Sequence, residues 1–66
     1  MEIDNISRLI ASGKFKKKRL NTNYIVVSAG QIKFFIHKRL LKIIENEKSI
    51  KRIRQIIFQN KQLVRY

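Results

Sequence analysis

Apolar residues recur at helical spacing in the first part of the chain. Ile3, Ile6, Leu9 and Ile10 lie three or four residues apart. This spacing predicts a short amphipathic helix over residues 2–12. Gly13 follows the last periodic residue and predicts a left-handed cap that ends the helix.

The densest apolar stripe lies in the middle of the chain, in the segment SAGQIKFFIHKRLLKIIEN. Its members are Ile32, Ile36, Leu40, Ile43 and Ile44. Their spacing of three and four residues predicts one long helix over residues 29–46. The segment's first and fourth residues, Ser and Gln, form a capping-box pattern at the start of this helix.

A third apolar stripe follows a short polar segment near the end of the chain. Ile50, Ile53, Ile57 and Val64 lie on one helical line, and Ser49 is a suitable N-cap. The pattern predicts a final helix over residues 49–63. The predicted fold class is therefore mainly α, a small three-helix single domain over residues 1–66.

Residues 20–27 carry a different pattern. Asn21, Thr22 and Asn23 favour a turn or a helix start, whereas the β-forming residues from Tyr24 to Val27 favour a short strand at 23–27. Such a strand needs a partner, either residues 32–36 folded back as a hairpin or a second chain. The long helix is preferred to the hairpin because the apolar stripe continues helically beyond the length of a usual strand.

The excess of positive charge bears on function more than on fold. Among 66 residues, 16 are Lys or Arg and four are acids, which gives a formal net charge of +12. The acids lie at positions 2, 4, 45 and 47, and residues 14–19 place five positive charges in six residues. Mutual repulsion should keep this run extended unless an anion neutralises it. The bland interpretation is a solvated basic loop; the functional one is a nucleic-acid contact.

The predicted nucleic-acid contacts come from this run and from the basic side of the central helix. They are Lys14, Lys16, Lys17, Lys18, Arg19, Lys38, Arg39 and Lys42. Aromatic rings are interleaved with them: Phe15 lies inside the run, Phe35 on the basic side of the central helix, and Phe58 on the basic side of the last one. Exposed rings stack on unpaired bases or dock into protein pockets; burial by tertiary folding is the alternative.

The residues that catalysis and metal binding need are scarce. His37 is the single imidazole, and its position among cations favours a surface role near phosphate or solvent. Cys is absent and the four acids are split between two places, so we expect no metal, no cofactor and no small-molecule substrate. No apolar run approaches the roughly 18 residues of a membrane-spanning helix. The sequence predicts a non-enzymatic protein.

In layout the chain resembles the omega subunit of bacterial and plastid RNA polymerase. Asn23-Tyr24 lies where that family has a turn and an aromatic residue opening its main helix, and Ile53-Arg54-Gln55-Ile56-Ile57 is similar to the family's Ile-Arg-Ala-Ile-Ile helix. Lys33 matches a basic position of the family, whereas Gln31 and Phe34 replace small Ala residues.

This resemblance implies a non-catalytic accessory subunit of DNA-directed RNA polymerase that clamps the large subunit and promotes its assembly in transcription. It implies a helix that starts near Thr22, with Tyr24 on its first turn. In an assembly subunit of this kind, the partner-docking residues would be Tyr24, Phe35 and Phe58. It also implies an intracellular location, in a plastid or a bacterial cytoplasm.

Two alternatives remain open at this point. The first is a free-standing DNA- or RNA-binding protein, either a small ribosomal protein or a ribbon-helix-helix regulator, which requires a strand at 23–27 paired across a dimer. The second is a cationic peptide that acts at membrane surfaces. The predicted partner is nucleic acid, a large protein subunit of a nucleic-acid machine, or both.

Overall fold

The computed structural model describes residues 2–65 of the chain. In order, its elements are α1 (Glu2–Ser12), β1 (Lys16–Arg19), β2 (Tyr24–Ala29), β3 (Ile32–His37), α2 (Lys38–Ile44), α3 (Ile50–Gln59), a 3-10 turn (Lys61–Leu63) and β4 (Val64–Arg65). The strands form one antiparallel sheet in the order β1-β2-β3-β4. The fold is therefore α+β, and the prediction of a mainly α domain is wrong.

The first helix was predicted correctly. α1 spans Glu2–Ser12, and Ile3, Ile6 and Ile10 are buried on its inner side. Gly13 adopts a φ of +71° and donates its N–H to the Ile10 carbonyl at 3.1 Å. Because a left-handed φ is open to Gly at little cost, this residue ends the helix as expected.

The long central helix is replaced by a hairpin followed by a short helix. β2 pairs with β3 across Gly30 and Gln31, with Val27 opposite Phe34. Gly30 has a φ of +60°, which is typical of the first central residue of a two-residue type II′ turn. The prediction of a helix over residues 29–46 is wrong, and the hairpin alternative is correct.

The apolar stripe of the central segment led to the wrong prediction of one long helix because it runs across two elements, β3 and α2. Phe34 and Ile36 are buried at strand spacing in β3, whereas Leu40 and Ile44 are buried at helical spacing in α2. The step from Ile36 to Leu40 matches a helix only because α2 begins directly after β3. β-branched and aromatic residues on both sides of the turn favour strands, and pairing two strands satisfies the backbone of both.

The capping box was also misplaced, since its Ser lies in β2 and its Gln lies in the hairpin turn. His37 is the actual N-cap of α2, and its Nδ1 accepts a hydrogen bond from the Arg39 backbone N–H at 3.2 Å. The next helix follows the prediction more closely. Ser49 caps α3, with its Oγ accepting from the Arg52 N–H at 3.3 Å.

The last helix ends earlier than predicted. α3 stops at Gln59, and Asn60 leaves the helical region with a φ of −130°. The chain then returns to the sheet, where Val64 of β4 lies opposite Ile36 of β3. Val64 is buried in the sheet and not along a helix line, so the predicted boundary at residue 63 is wrong.

The three helices lie on one face of the sheet. α1 packs on α3, and their apolar sides meet Val27, Phe34 and Ile36 from the strands. Core residues from the helices are Ile3, Ile6, Ile10, Leu40, Leu41, Ile44, Ile53 and Ile57. Since successive strand residues point to opposite faces, the residues between the core positions of each strand lie on the other side of the sheet.

Replacing Gly30 by alanine should destabilise the protein by about 1–2 kcal/mol, the cost of a left-handed backbone for a residue with a Cβ. The added methyl group would meet no atom within 4 Å, so the loss would come from the backbone alone. Urea unfolding measures it. A Gly30→Ala variant as stable as the wild-type protein would contradict the explanation.

Candidate nucleic-acid interface

The sheet face away from the helices carries a set of basic and aromatic side chains, which we name the open face. Its members follow from strand alternation and register: Lys16 and Lys18 of β1, Tyr24, Val26 and Ser28 of β2, Lys33, Phe35 and His37 of β3, and Arg65 of β4. None of these residues belongs to the buried core.

Cross-strand pairing arranges the open face in three rows. The middle row places Phe35 between Val26 and Arg65, with Lys18 on the far side of Val26. Directly opposite side chains in neighbouring strands interact, so Phe35 has Arg65 as its cross-strand neighbour on one side and the apolar Val26 on the other. The phenyl group is only partly buried.

The two outer rows differ in chemistry. On one side of the middle row, Lys16, Ser28 and Lys33 lie in register across three strands. On the other side, Tyr24 lies opposite His37 with ring centroids 5.3 Å apart at 74°, an edge-to-face pair. Aromatic rings therefore gather toward one end of the face and lysines toward the other.

Among residues 2–65 the open face has no negative charge of its own, because none of the four strands contains Asp or Glu. The ion pairs among the described side chains are Lys17–Glu45 at 2.7 Å, Arg52–Glu47 at 3.2 Å and Arg54–Asp4 at 3.0 Å. All three lie away from the open face. The positive charge of Lys16, Lys18, Lys33 and Arg65 is thus not neutralised by these acids.

The open face also has a shallow depression of about 420 Å³ beside the middle row. Lys18, Val26 and Lys33 line it, together with Leu20, whose side chain is 51% exposed. Apolar surface next to lysines suits a ligand with a flat apolar ring and a nearby anion, as a nucleotide has.

The basic run is extended, as predicted, but its residues do not form one surface. β1 sends Lys16 and Lys18 to the open face, whereas Lys17 points to the helix side and pairs with Glu45. Arg19 donates its Nε–H to the Asn21 carbonyl at 3.4 Å. Lys14 lies before the strand and is exposed. Alternation along a strand thus divides the run between two sides of the sheet.

The predicted contacts from the central segment lie on the helix side. Lys38, Arg39 and Lys42 line a depression of about 440 Å³ between α2 and the sheet, which we name the basic groove. Lys17, Ile25, Leu41 and Glu45 complete its lining. These three residues therefore do not share a surface with Lys16 and Lys18.

The aromatic residues are likewise divided. Tyr24 and Phe35 lie on the open face, whereas Phe58 is 59% exposed on α3, with the Lys61 Nζ 4.6 Å from its ring centroid. Phe15 packs against the core. The expectation that Phe35 lies on a helix face beside Lys38 and Lys42 is wrong, since these residues belong to different elements.

Sequence reasoning missed Lys33 and Arg65 as members of the candidate interface and gave His37 a different position. One signal was present: Lys33, Phe35 and His37 alternate with the buried Phe34 and Ile36. This period of two shows a polar or aromatic side opposite an apolar side, which is typical of a half-buried strand. Arg65 had no such signal because its strand has only two residues.

Other kinds of site find little support in the part of the chain described here. Within residues 2–65 no group of three or more His, Cys, Asp or Glu side chains is placed to hold a metal ion. In the same range no helix has the length and apolar character needed to cross a bilayer.

Comparison with known proteins gives no further direction: no protein-family model, no curated protein and no solved structure matches this chain.

Proposed function

We propose that this protein is a non-catalytic nucleic-acid-binding protein that holds an unpaired strand on its open face. The observation that carries the proposal is the position of Phe35, a partly exposed ring on an uncovered sheet face. Lys18, Lys33 and Arg65 are near it, and no acid is present on the strands. The net charge of +12 supports attraction to a polyanion.

In the proposed complex, bases stack on the rings while cations contact the phosphates. Side chains two residues apart on a strand are separated by about 6.6 Å, so Phe35 and the Tyr24–His37 pair each have room for one base. Lys16 and Lys33 are placed to contact the backbone on the other side of the middle row, and Lys18 is placed to contact it at the β1 end of that row. Such stacking needs bases that are free of a duplex, and it tolerates any base.

The other interpretations receive less support from the fold. An omega-like polymerase subunit requires a helix from about Thr22, but residues 21–23 form a turn and Tyr24–Ala29 is a strand. A ribbon-helix-helix regulator requires this strand to pair between chains, whereas β2 is flanked by β1 and β3 of its own chain. A free-standing binder of RNA or single-stranded DNA is the function that we retain.

The test is the salt dependence of binding to a labelled single-stranded oligonucleotide, followed by fluorescence anisotropy. For single strands, each lost phosphate contact makes the slope of log affinity against log salt less steep by about 0.7. Replacing Lys16, Lys18, Lys33 and Arg65 by Gln should therefore change the slope by nearly 3.

A matched control removes the same charges from outside the sheet. The residues Arg8, Lys48, Lys51 and Lys61 are all exposed, and they again comprise three lysines and one arginine. Their replacement by Gln should change the slope much less. Equal slopes for the two variants would place binding away from the open face, and a wild-type protein that binds no oligonucleotide would refute the proposed function.

A further inference from the structure

We infer that the basic groove is a second binding site for a sugar-phosphate backbone, and that the protein bridges two nucleic-acid segments. The bridging role rests on the proposed function, because the first segment is the strand on the open face. The groove site itself is argued from its own residues.

The position of the groove separates it from the open face. Lys17 faces the groove because it alternates along β1 with Lys16 and Lys18, which face the other side. α2 follows β3 directly and contributes Lys38, Arg39 and Lys42 to the same depression. The sheet itself lies between the two cationic surfaces, so one strand lying flat on the open face leaves the groove accessible.

The charge of the groove favours an anion. Of the described residues, four cations line it against a single acid, Glu45, and this acid is paired with Lys17 at 2.7 Å. Lys38, Arg39 and Lys42 are exposed and belong to none of the three ion pairs among the described side chains. Three cations on one turn and a half of helix match the repeated phosphates of a nucleic-acid backbone.

The lining of the groove indicates that it binds backbone and not bases. Its apolar residues are Ile25 and Leu41, and none of the described residues that line it carries an aromatic ring. Without a ring there is no stacking platform, so the groove has no means to prefer an unpaired base. It is therefore expected to accept the backbone of either a single strand or a duplex.

Energy transfer between two labelled oligomers tests this inference. The donor is on a short oligothymidylate, which stacks on the open face, and the acceptor is on an abasic deoxyribose-phosphate oligomer, which has backbone but no bases. The protein measures 28 × 24 × 22 Å, so two oligomers on one molecule lie close enough for efficient transfer. Wild-type protein mixed one to one with each should give strong transfer.

Replacing Lys38, Arg39 and Lys42 by Gln should raise the protein concentration needed for half-maximal energy transfer by about tenfold or more. The slope of log affinity against log salt should become less steep by about 2. The matched control replaces Arg8, Lys48 and Lys51 by Gln and should change transfer less than threefold, since these exposed residues lie outside the groove. Binding of the oligothymidylate alone should remain within threefold in both variants.

Two results with the abasic oligomer would overturn the inference: no energy transfer with the wild-type protein, or equal transfer in the groove and control variants. Transfer to a labelled oligoglutamate that is stronger than transfer to the abasic oligomer would also overturn it, because it would assign the groove to an acidic peptide. A failure of the proposed function has a different signature. In that case the oligothymidylate would bind no more tightly than the abasic oligomer, whatever the state of the groove.

Discussion

Replacing Tyr24 and Phe35 together by alanine is expected to weaken binding of an unpaired oligonucleotide by at least about 30-fold. Replacing a ring on which a base stacks by alanine costs roughly 1–3 kcal/mol of binding free energy. Loss of two rings therefore costs at least about 2 kcal/mol, which corresponds to about a 30-fold change in affinity. The salt slope should stay almost unchanged, because the variant removes no charge. Anisotropy titrations at several salt concentrations measure both quantities.

The matched control for this variant is Phe58→Ala. Phe58 is more exposed than most large apolar residues of the protein, yet it lies on α3 and not on the open face. Its loss should leave affinity within about twofold. If Phe58→Ala weakened binding as much as the double variant did, bases would stack on the helical side of the molecule and the proposed interface would be wrong.

Replacing Phe34 by alanine is expected to unfold the protein at physiological temperature. Phe34 is 1% exposed and is among the largest fully buried side chains. Truncating a buried Phe costs about 3–5 kcal/mol, whereas a chain of 66 residues has a total stability of roughly 3–10 kcal/mol. A small core has little surplus to absorb such a loss.

The neighbouring residue provides the comparison. Phe35→Ala changes the same side chain one position along the same strand, but on the face away from the core. Thermal unfolding followed by circular dichroism should show a much smaller loss for Phe35→Ala than for Phe34→Ala. Comparable losses would mean that the open face is covered by other parts of the chain and is not available to a ligand.

The parts of the fold that could be predicted are those with local chemical signals. α1 has a regular apolar stripe and is followed by Gly13, and α3 begins directly after Ser49, whose hydroxyl caps it. The hairpin has a local signal too, since Gly30 lies between two runs of β-forming residues. That signal was outweighed because Ile36, Leu40 and Ile44 continue a helical spacing across a strand-to-helix junction.

The candidate interface was harder to predict because it depends on register. A basic run of consecutive residues looks like one surface in the sequence, but a strand divides it, so Lys16 and Lys17 face opposite sides. Arg65 comes to lie beside Phe35 only through pairing of β3 with β4, which are separated by two helices. Such long-range pairing leaves no mark in local periodicity.

The four consecutive cations of β1 have a consequence for self-association. β1 is the first strand of the sheet, so one side of it has no neighbouring strand. Exposed strand edges are templates for pairing with another copy, and lysines are a common means of preventing this. Two β1 edges brought together would place eight positive charges side by side, and repulsion should keep the copies apart. The same charges that attract phosphate thus protect the protein from aggregation. The variant in which Lys16, Lys18, Lys33 and Arg65 are replaced by Gln retains Lys17 and Arg19, so its β1 edge keeps half of the positive charge that opposes pairing.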